Sequence, residues 1–193
     1  GIDYTLFEKN EDFGGTWFEN RYPGCGVDTP SLTYTFSRRP NDWSMYFPLR
    51  DEIEGYLLDT AREFGLYDKA RFRTHVEEAR WNTATDQWDV TITTPDGKRE
   101  THSADYLFSA VGILNIPKYP QIDGLDEFAG EVYHTSRWPA EADLSGKRVA
   151  VIGNGASGMQ VAPAIADEVS RMTIFARSKQ WAAPFPQFRK KVP

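Results

Sequence analysis

The 193-residue sequence predicts an α/β architecture carrying a small antiparallel insertion. Three observations point there. Arg148–Ile152 (RVAVI) is a buried-type strand that feeds a glycine-rich turn, a small-residue helical stretch and a further apolar strand within about 30 residues, the order of a βαβ unit. Between Phe72 and Ser103, short stretches alternate apolar and polar residues around a Pro95-Asp96-Gly97 turn. The composition, 40% apolar and 14% aromatic, suffices for a packed core.

Along the chain, Tyr4–Glu8 (YTLFE) is a short β-rich run ending in an acid. Residues 12–37 are rich in Gly and Pro and predict loop or broken structure. Asp51–Phe64 predicts a helix: two early acids suit its N-terminal dipole, and Ile53, Tyr56, Leu57, Ala61 and Phe64 share one face, with Gly65 as the stop. The meander follows as Phe72–Trp81, Gln87–Thr94 and Arg99–Ser103. Asp105–Val111 (DYLFSAV) predicts a strand buried on both faces, ending at Gly112. The aperiodic, proline-bearing stretch 113–146 is a linker and marks the domain boundary. Beyond the RVAVI strand, a helix is expected over 156–168, weakened at Pro163, and then a strand over Met172–Ala176.

Net charge is −6, which argues against non-specific nucleic-acid binding. The single cysteine, Cys25, excludes an internal disulfide framework, and the three scattered histidines leave no metal site. No apolar run approaches ~18 residues and no signal-peptide pattern is visible, so a soluble, cytoplasmic protein is the expectation. "GIDYTLFEKN" opens on a strand already under way and "FPQFRKKVP" stops after a basic run, so the chain reads as truncated.

Gly153, Gly155 and Gly158 fit G-x-G-x-x-G in the strand–turn–helix context of a dinucleotide site. There the first glycine permits the tight turn, the second lets backbone approach a pyrophosphate, and the third lets helix pack on strand. The pyrophosphate sits at the helix N-terminus, where free N–H groups and the dipole favour anions. After the next strand stands Arg177, followed by Ser178 and Lys179, where NAD sites carry an acid. A guanidinium suits a 2′-phosphate, so NADP(H) is favoured over NAD(H). Glu8, at a strand end, occupies the usual place of a ribose-binding acid in a second dinucleotide fold, whose glycine loop would lie before residue 1. Ser157 lacks the G-x-S-x-G elbow of a hydrolase, and Cys25 is expected to be a small buried filler.

"FAGEVYHTSRWP" matches F-x-G-x-x-x-H-x-x-x-W-P at Phe128, Gly130, His134, Trp138 and Pro139, just ahead of the glycine turn. Upstream, "GGTWFENRYPGCGVD" matches G-G-T-W…N-R-Y-P-G…D, and "SAVG" at Ser109–Gly112 matches an A-T-G-like strand end. In these motifs, which run through essentially the whole chain, the sequence resembles the Baeyer–Villiger monooxygenases, class B flavoprotein monooxygenases. "WFENRYPGCGVDTP" is most similar to the aryl-ketone subgroup typified by 4-hydroxyacetophenone monooxygenase.

The resemblance implies two Rossmann-like dinucleotide-binding domains, for FAD and NADPH. NADPH reduces FAD, and the reduced flavin activates O2 for insertion next to a ketone carbonyl, giving an ester or lactone. On this reading residues 1–112 are a partial FAD domain with the meander at about 70–104. Residues 113–146 are the interdomain linker, and 147–193 a partial NADPH domain. Carried over, Glu8 holds the FAD ribose and Gly15, Thr16 and Trp17 line the flavin. Asp28 sits at the active site, where it orients a catalytic arginine. Gly153, Gly155, Ser157, Gly158, Arg177, Ser178 and Lys179 serve NADPH, and Val76 joins the cofactor-binding set. His134 enters the catalytic set with Asp28, as a hinge residue beside Trp138 that need not touch substrate. Expected partners are a small-molecule ketone and O2, without nucleic acid or membrane, and a homo-oligomer is left open. Two alternatives stand: a flavin monooxygenase acting on nitrogen or sulfur, and a non-catalytic nucleotide-binding fragment. The isolated piece is expected to bind FAD poorly and to be inactive.

Overall fold

The computed structural model describes residues 2–183 and 185–192. In chain order it forms β1 (Leu6–Phe7), α1 (Thr16–Glu19), α2 (Arg50–Glu63), β2 (Ala70–Arg71), β3 (His75–Asn82), β4 (Gln87–Thr93), β5 (Arg99–Ala104), β6 (Arg148–Ile152), α3 (Ala156–Ile165) and β7 (Arg171–Phe175), with short 3-10 turns between them. These elements divide into two compact units. One comprises the chain up to Gly15 and Leu57–Asn115; the other comprises Thr16–Tyr56 and the chain from Ile116 onward. The Gly- and Pro-rich stretch after Gly15 therefore groups with the C-terminal βαβ elements rather than with the strand that precedes it.

In the first unit, β1 and β2 pair in parallel, Leu6 with Ala70 and Phe7 with Arg71. The meander forms as the alternation predicts, antiparallel in the order β3-β4-β5, with a register shift between Val76 and Glu78. Its central strand buries Val90 and Ile92, and Gly97 turns the β4–β5 connection at φ 79°.

Two expectations fail here. The Tyr4–Glu8 strand contracts to Leu6–Phe7. Asp105–Val111 forms no strand, and Tyr106 and Phe108 are 81% and 88% exposed. A strand of that kind is held by hydrogen-bonded neighbours on its edges and layers on both faces. Among the described residues, no strand pairs with this segment.

In the second unit, β6 and β7 run parallel, Arg148 opposite Arg171 through Ile152 opposite Phe175. Helix α3 joins them and buries Val161, Ala162 and Ile165. It stops at Ile165, short of the expected Glu168, and contains Pro163 in its last turn. Glu168 then ties down the end of the connector: its Oε1 accepts the Leu144 N–H (3.2 Å) and its backbone carbonyl accepts the Gly146 N–H (2.9 Å).

The remaining core of this unit comes from Thr16–Tyr56: Trp17, Tyr22, Cys25, Val27, Trp43, Phe47, Ile53 and Tyr56 are buried. Asp51 and Glu52 lie in the first turn of α2, where the dipole favours acids. Gly65 ends that helix at φ 65°, leaving Phe64 47% exposed, outside the apolar face expected for it. Arg50 binds Glu54 at 2.6 Å with both side chains largely shielded, and its Nε donates to the Trp17 carbonyl (2.6 Å). Arg189 reaches back to the same region. Its Nη1 donates to the carbonyls of Phe47 (2.7 Å) and Pro48 (3.1 Å), and Nη2 to that of Gly24 (3.4 Å). Alongside, the Tyr46 N–H donates to the Lys190 carbonyl, and the Val192 N–H to Ser44. Among the described residues no helix is long and apolar enough to cross a membrane.

Candidate functional site

The glycine turn leaves β6 and enters α3, and each glycine stands in a different environment. Gly153 adopts φ +105°, a conformation L side chains rarely take. A Cβ on Gly158 would lie 2.6 Å from the Gly153 carbonyl oxygen, so helix and turn touch backbone to backbone. Gly155, by contrast, faces open space, with nothing within 4 Å of where its Cβ would stand. It is also the N-cap of α3, and no side chain caps the helix there. The first-turn N–H groups are therefore not taken up by a capping side chain and stay open to an anion such as a phosphate. That donor set fits the pyrophosphate of a dinucleotide.

Arg177, Ser178 and Lys179 follow β7 and are exposed. They are drawn to the turn by Asn154, whose Nδ2 donates to the Ser178 carbonyl (3.0 Å), while the Gly153 N–H donates to the Phe175 carbonyl (2.9 Å). A cationic segment thus lies directly beside the glycine turn. Ser157 turns its hydroxyl toward Tyr22.

Thr16 and Trp17 open α1 in this same unit, just after Gly15 at φ +52°. Trp17 is buried and its indole N–H donates to the Tyr34 hydroxyl. Asp28 is exposed and follows Val27, whose N–H is held by the Pro48 carbonyl (3.2 Å). His134 is half-buried in the connector. Its Nδ1 accepts the Ser136 N–H (3.2 Å) and faces Ser136 Oγ at 2.8 Å. A backbone N–H can only donate, so Nδ1 carries the lone pair and the neutral ring's proton sits on Nε2. Tyr119 packs against the ring at 5.0 Å, and Tyr133 packs edge-on against Trp138 at 5.5 Å.

In the other unit, Glu8 directly follows β1. Its Oε1 accepts the Asn10 N–H (2.8 Å), and its carbonyl accepts the Thr74 N–H (2.9 Å). Val76 lies two residues beyond Thr74 at the bulged start of β3, paired with Ile92 and 39% exposed. The anchored Glu8 carboxylate fits a ribose, whose hydroxyls donate to such an oxygen.

Several residues that tie the site together are not among the candidates the sequence singles out. The Tyr22 hydroxyl donates to Gln160 Oε1 (2.7 Å), and Gln160 Nε2 donates to the Gly26 carbonyl (2.9 Å). Burial pushes the Tyr22 hydroxyl pKa up to about 12, so it remains a donor at neutral pH. Arg137, inside the connector motif, pairs with the shielded Glu19 of α1 at 3.3 Å. Cys25 is buried and its thiol pKa is raised, first by desolvation, as befits a filler. The spacing of G-x-G could have flagged Asn154, and the N-R-Y-P-G match Tyr22; nothing local distinguishes Gln160 or Glu19.

The chain is 48% identical over its full length to the uncharacterized monooxygenase y4iD of Sinorhizobium fredii, covering 29% of that protein. It is 42% identical over 183 residues to a Baeyer–Villiger monooxygenase of Streptomyces coelicolor, 94% of this chain and 34% of that one. The chain thus spans about a third of the length of these relatives. Among solved structures, cyclohexanone monooxygenase from Rhodococcus sp. Phi1 bound to NADP+ superposes with TM-score 0.88 at 37% identity, covering 98% of this chain and 35% of that one. The OTEMO complex with FAD and NADP gives TM-score 0.86 at 36% identity, covering 95% and 36%. The family model for flavin-binding monooxygenase-like proteins matches residues 1–184. The chain belongs to that flavin-binding monooxygenase-like family.

Proposed function

We propose that this chain forms the FAD- and NADPH-binding parts of a monooxygenase that inserts one oxygen atom of O2 next to a ketone carbonyl, giving an ester or lactone. One observation carries the reading. The glycine turn, the His134–Trp138 connector and the Thr16–Asp28 segment fold into one unit, joined by the Tyr22–Gln160 and Arg137–Glu19 contacts. Two Rossmann-like domains, as in a two-dinucleotide flavoenzyme, account for both the β1 and the β6–α3–β7 elements.

Bound flavin supplies the redox chemistry, taking hydride from the nicotinamide and activating O2. The chain's own residues bind and orient. The α3 N-terminus takes the NADPH pyrophosphate at Gly153, Gly155 and Gly158. Arg177, with Ser178 and Lys179, takes the 2′-phosphate, which a guanidinium grips through paired N–H groups. Glu8 receives the FAD ribose, Val76 borders that cofactor, and Gly15, Thr16 and Trp17 shape the flavin side. Asp28, exposed and without a partner among the described residues, is free to hold a cation at the reacting centre. His134 we assign to positioning: its Nδ1 is spent on Ser136, which fixes the bend before Trp138. The ketone is aryl or cyclic, and the likeness to cyclohexanone monooxygenase favours cyclic.

The test uses the complete protein. Wild type should purify with flavin, oxidise NADPH, and place one 18O atom from O2 into an ester. Asp28→Ala should keep NADPH-driven flavin reduction within about threefold and lose ester formation by about 10²-fold or more. Ester formed at the wild-type rate would remove Asp28 from the reaction. Wild type without flavin or NADPH oxidation would end the monooxygenase reading altogether.

A further inference from the structure

We propose that Gln160 is a positioning residue that clamps the backbone leading to Asp28 onto the helix behind the glycine turn, so that a dinucleotide seated on the turn also steadies the Asp28 loop. The inference rests on the reading of that turn as a dinucleotide seat, and goes beyond it by giving the seat a second consequence.

The clamp is built from both ends of one amide. Gln160 Nε2 donates to the Gly26 carbonyl (2.9 Å), and Oε1 accepts the Tyr22 hydroxyl (2.7 Å). A single side chain therefore pins the loop at two points four residues apart. The loop lies hard against the helix: a Cβ on Gly24 would stand 2.7 Å from the Gln160 carbonyl oxygen and 3.0 Å from Ala164 Cβ. Ser157, Gln160 and Ala164 follow i, i+3, i+7 spacing, so they form one face of α3. Ser157, in the first turn of α3, also lies beside the Tyr22 hydroxyl. From Gly26 the chain goes directly to Asp28, with Gly26 bridged to Leu49 and the Val27 N–H held by the Pro48 carbonyl. Little slack remains between the clamp and the carboxylate. This amide holds the loop by two hydrogen bonds, beside the packing of Gly24 on the helix, and so passes a shift or stiffening of the α3 N-terminus on binding a phosphate to the loop.

Gln160→Leu removes both hydrogen bonds and leaves an apolar side chain of similar volume, shorter by one atom. Hydrogen–deuterium exchange on the complete protein, with and without NADP+, reads the effect at separate segments. In wild type, NADP+ should slow exchange at 155–159 and at 24–28. In Gln160→Leu, protection at 155–159 should persist while that at 24–28 is lost, with exchange there several-fold faster and NADP+ affinity within about threefold of wild type. Equal protection of 24–28 in both proteins would overturn the clamp and leave the dinucleotide seat standing. Loss of protection at both segments would also overturn it, since Gln160 would then hold the turn itself. No NADP+ protection anywhere in wild type would sink the seat, and the clamp with it. Tyr22→Phe supplies the milder variant should Gln160→Leu fail to fold: it removes one of the two bonds and should weaken protection at 24–28 alone. Unchanged protection there would count against the clamp.

Discussion

Gly155→Ser should stabilise the protein and weaken NADP+ binding at the same time. Gly155 is the N-cap of α3 with φ −74° and ψ −170°, a conformation open to any L residue. No atom lies within 4 Å of its would-be Cβ. A serine there places its Oγ on the first-turn N–H groups, contributing about 0.3 kcal/mol over glycine and raising the melting temperature by roughly 1 °C. Those N–H groups are the ones a pyrophosphate would use. Losing one charge-assisted hydrogen bond costs about 1.5–3 kcal/mol, so NADP+ affinity should fall roughly 10- to 150-fold. Gly158→Ala is the control with the opposite stability sign. Its Cβ would sit 2.6 Å from a backbone oxygen and must retreat by about 1 Å to reach ordinary contact. Overpacking, offset in part by helix propensity, leaves a net loss of about 1–2 kcal/mol. Thermal melts and calorimetric NADP+ titration on the complete protein measure both quantities. Gly155→Ser binding NADP+ within twofold of wild type would remove the phosphate from this turn, and destabilisation matching Gly158→Ala would refute the N-cap geometry.

Arg177→Ala should weaken NADPH by about 10-fold or more while changing NADH little; equal losses for both nucleotides would remove the 2′-phosphate assignment. Tyr22 titrates higher in the folded protein, at about 12 against 10.0. Its proton is held more tightly in the fold, so its contribution is complete below pH 10 and is lost as pH rises from about 10 to 12. Urea melts should show that alkaline decline in wild type and a shallower one in Tyr22→Phe; parallel profiles would contradict it.

The βαβ unit was legible because its information is local: a buried-type strand, a glycine turn and a small-residue helix stand next to one another in sequence. The meander was legible for the same reason, from alternation around Pro95-Asp96-Gly97. Asp105–Val111 was not, because an apolar run says that a segment can be buried without saying which strands will flank it. The pairing of β1 with Ala70–Arg71 was equally hidden, since it rests on main-chain hydrogen bonds with no apolar pattern to announce them. At the site, Gly153 and Gly158 each have a backbone reason visible in the motif. Gln160 and Glu19 act on partners more than a hundred residues away in sequence, and a polar side chain bound to a remote group looks like any surface residue until the chain is folded.

Among the described residues, Arg189 grips three main-chain carbonyls and no carboxylate. Its hold is therefore that of an ion on dipoles whose partners never titrate. Acid that would neutralise the Lys69–Asp3 pair, or salt that would screen it, finds no opposing charge here to remove. What the grip does demand is a planar fork that satisfies several oxygens at once, so lysine, with the same charge and a single point of donation, is no substitute. The return of the chain onto Gly24 and Pro48 is thus a matter of shape, set by where backbone oxygens converge and indifferent to the ionic conditions around it.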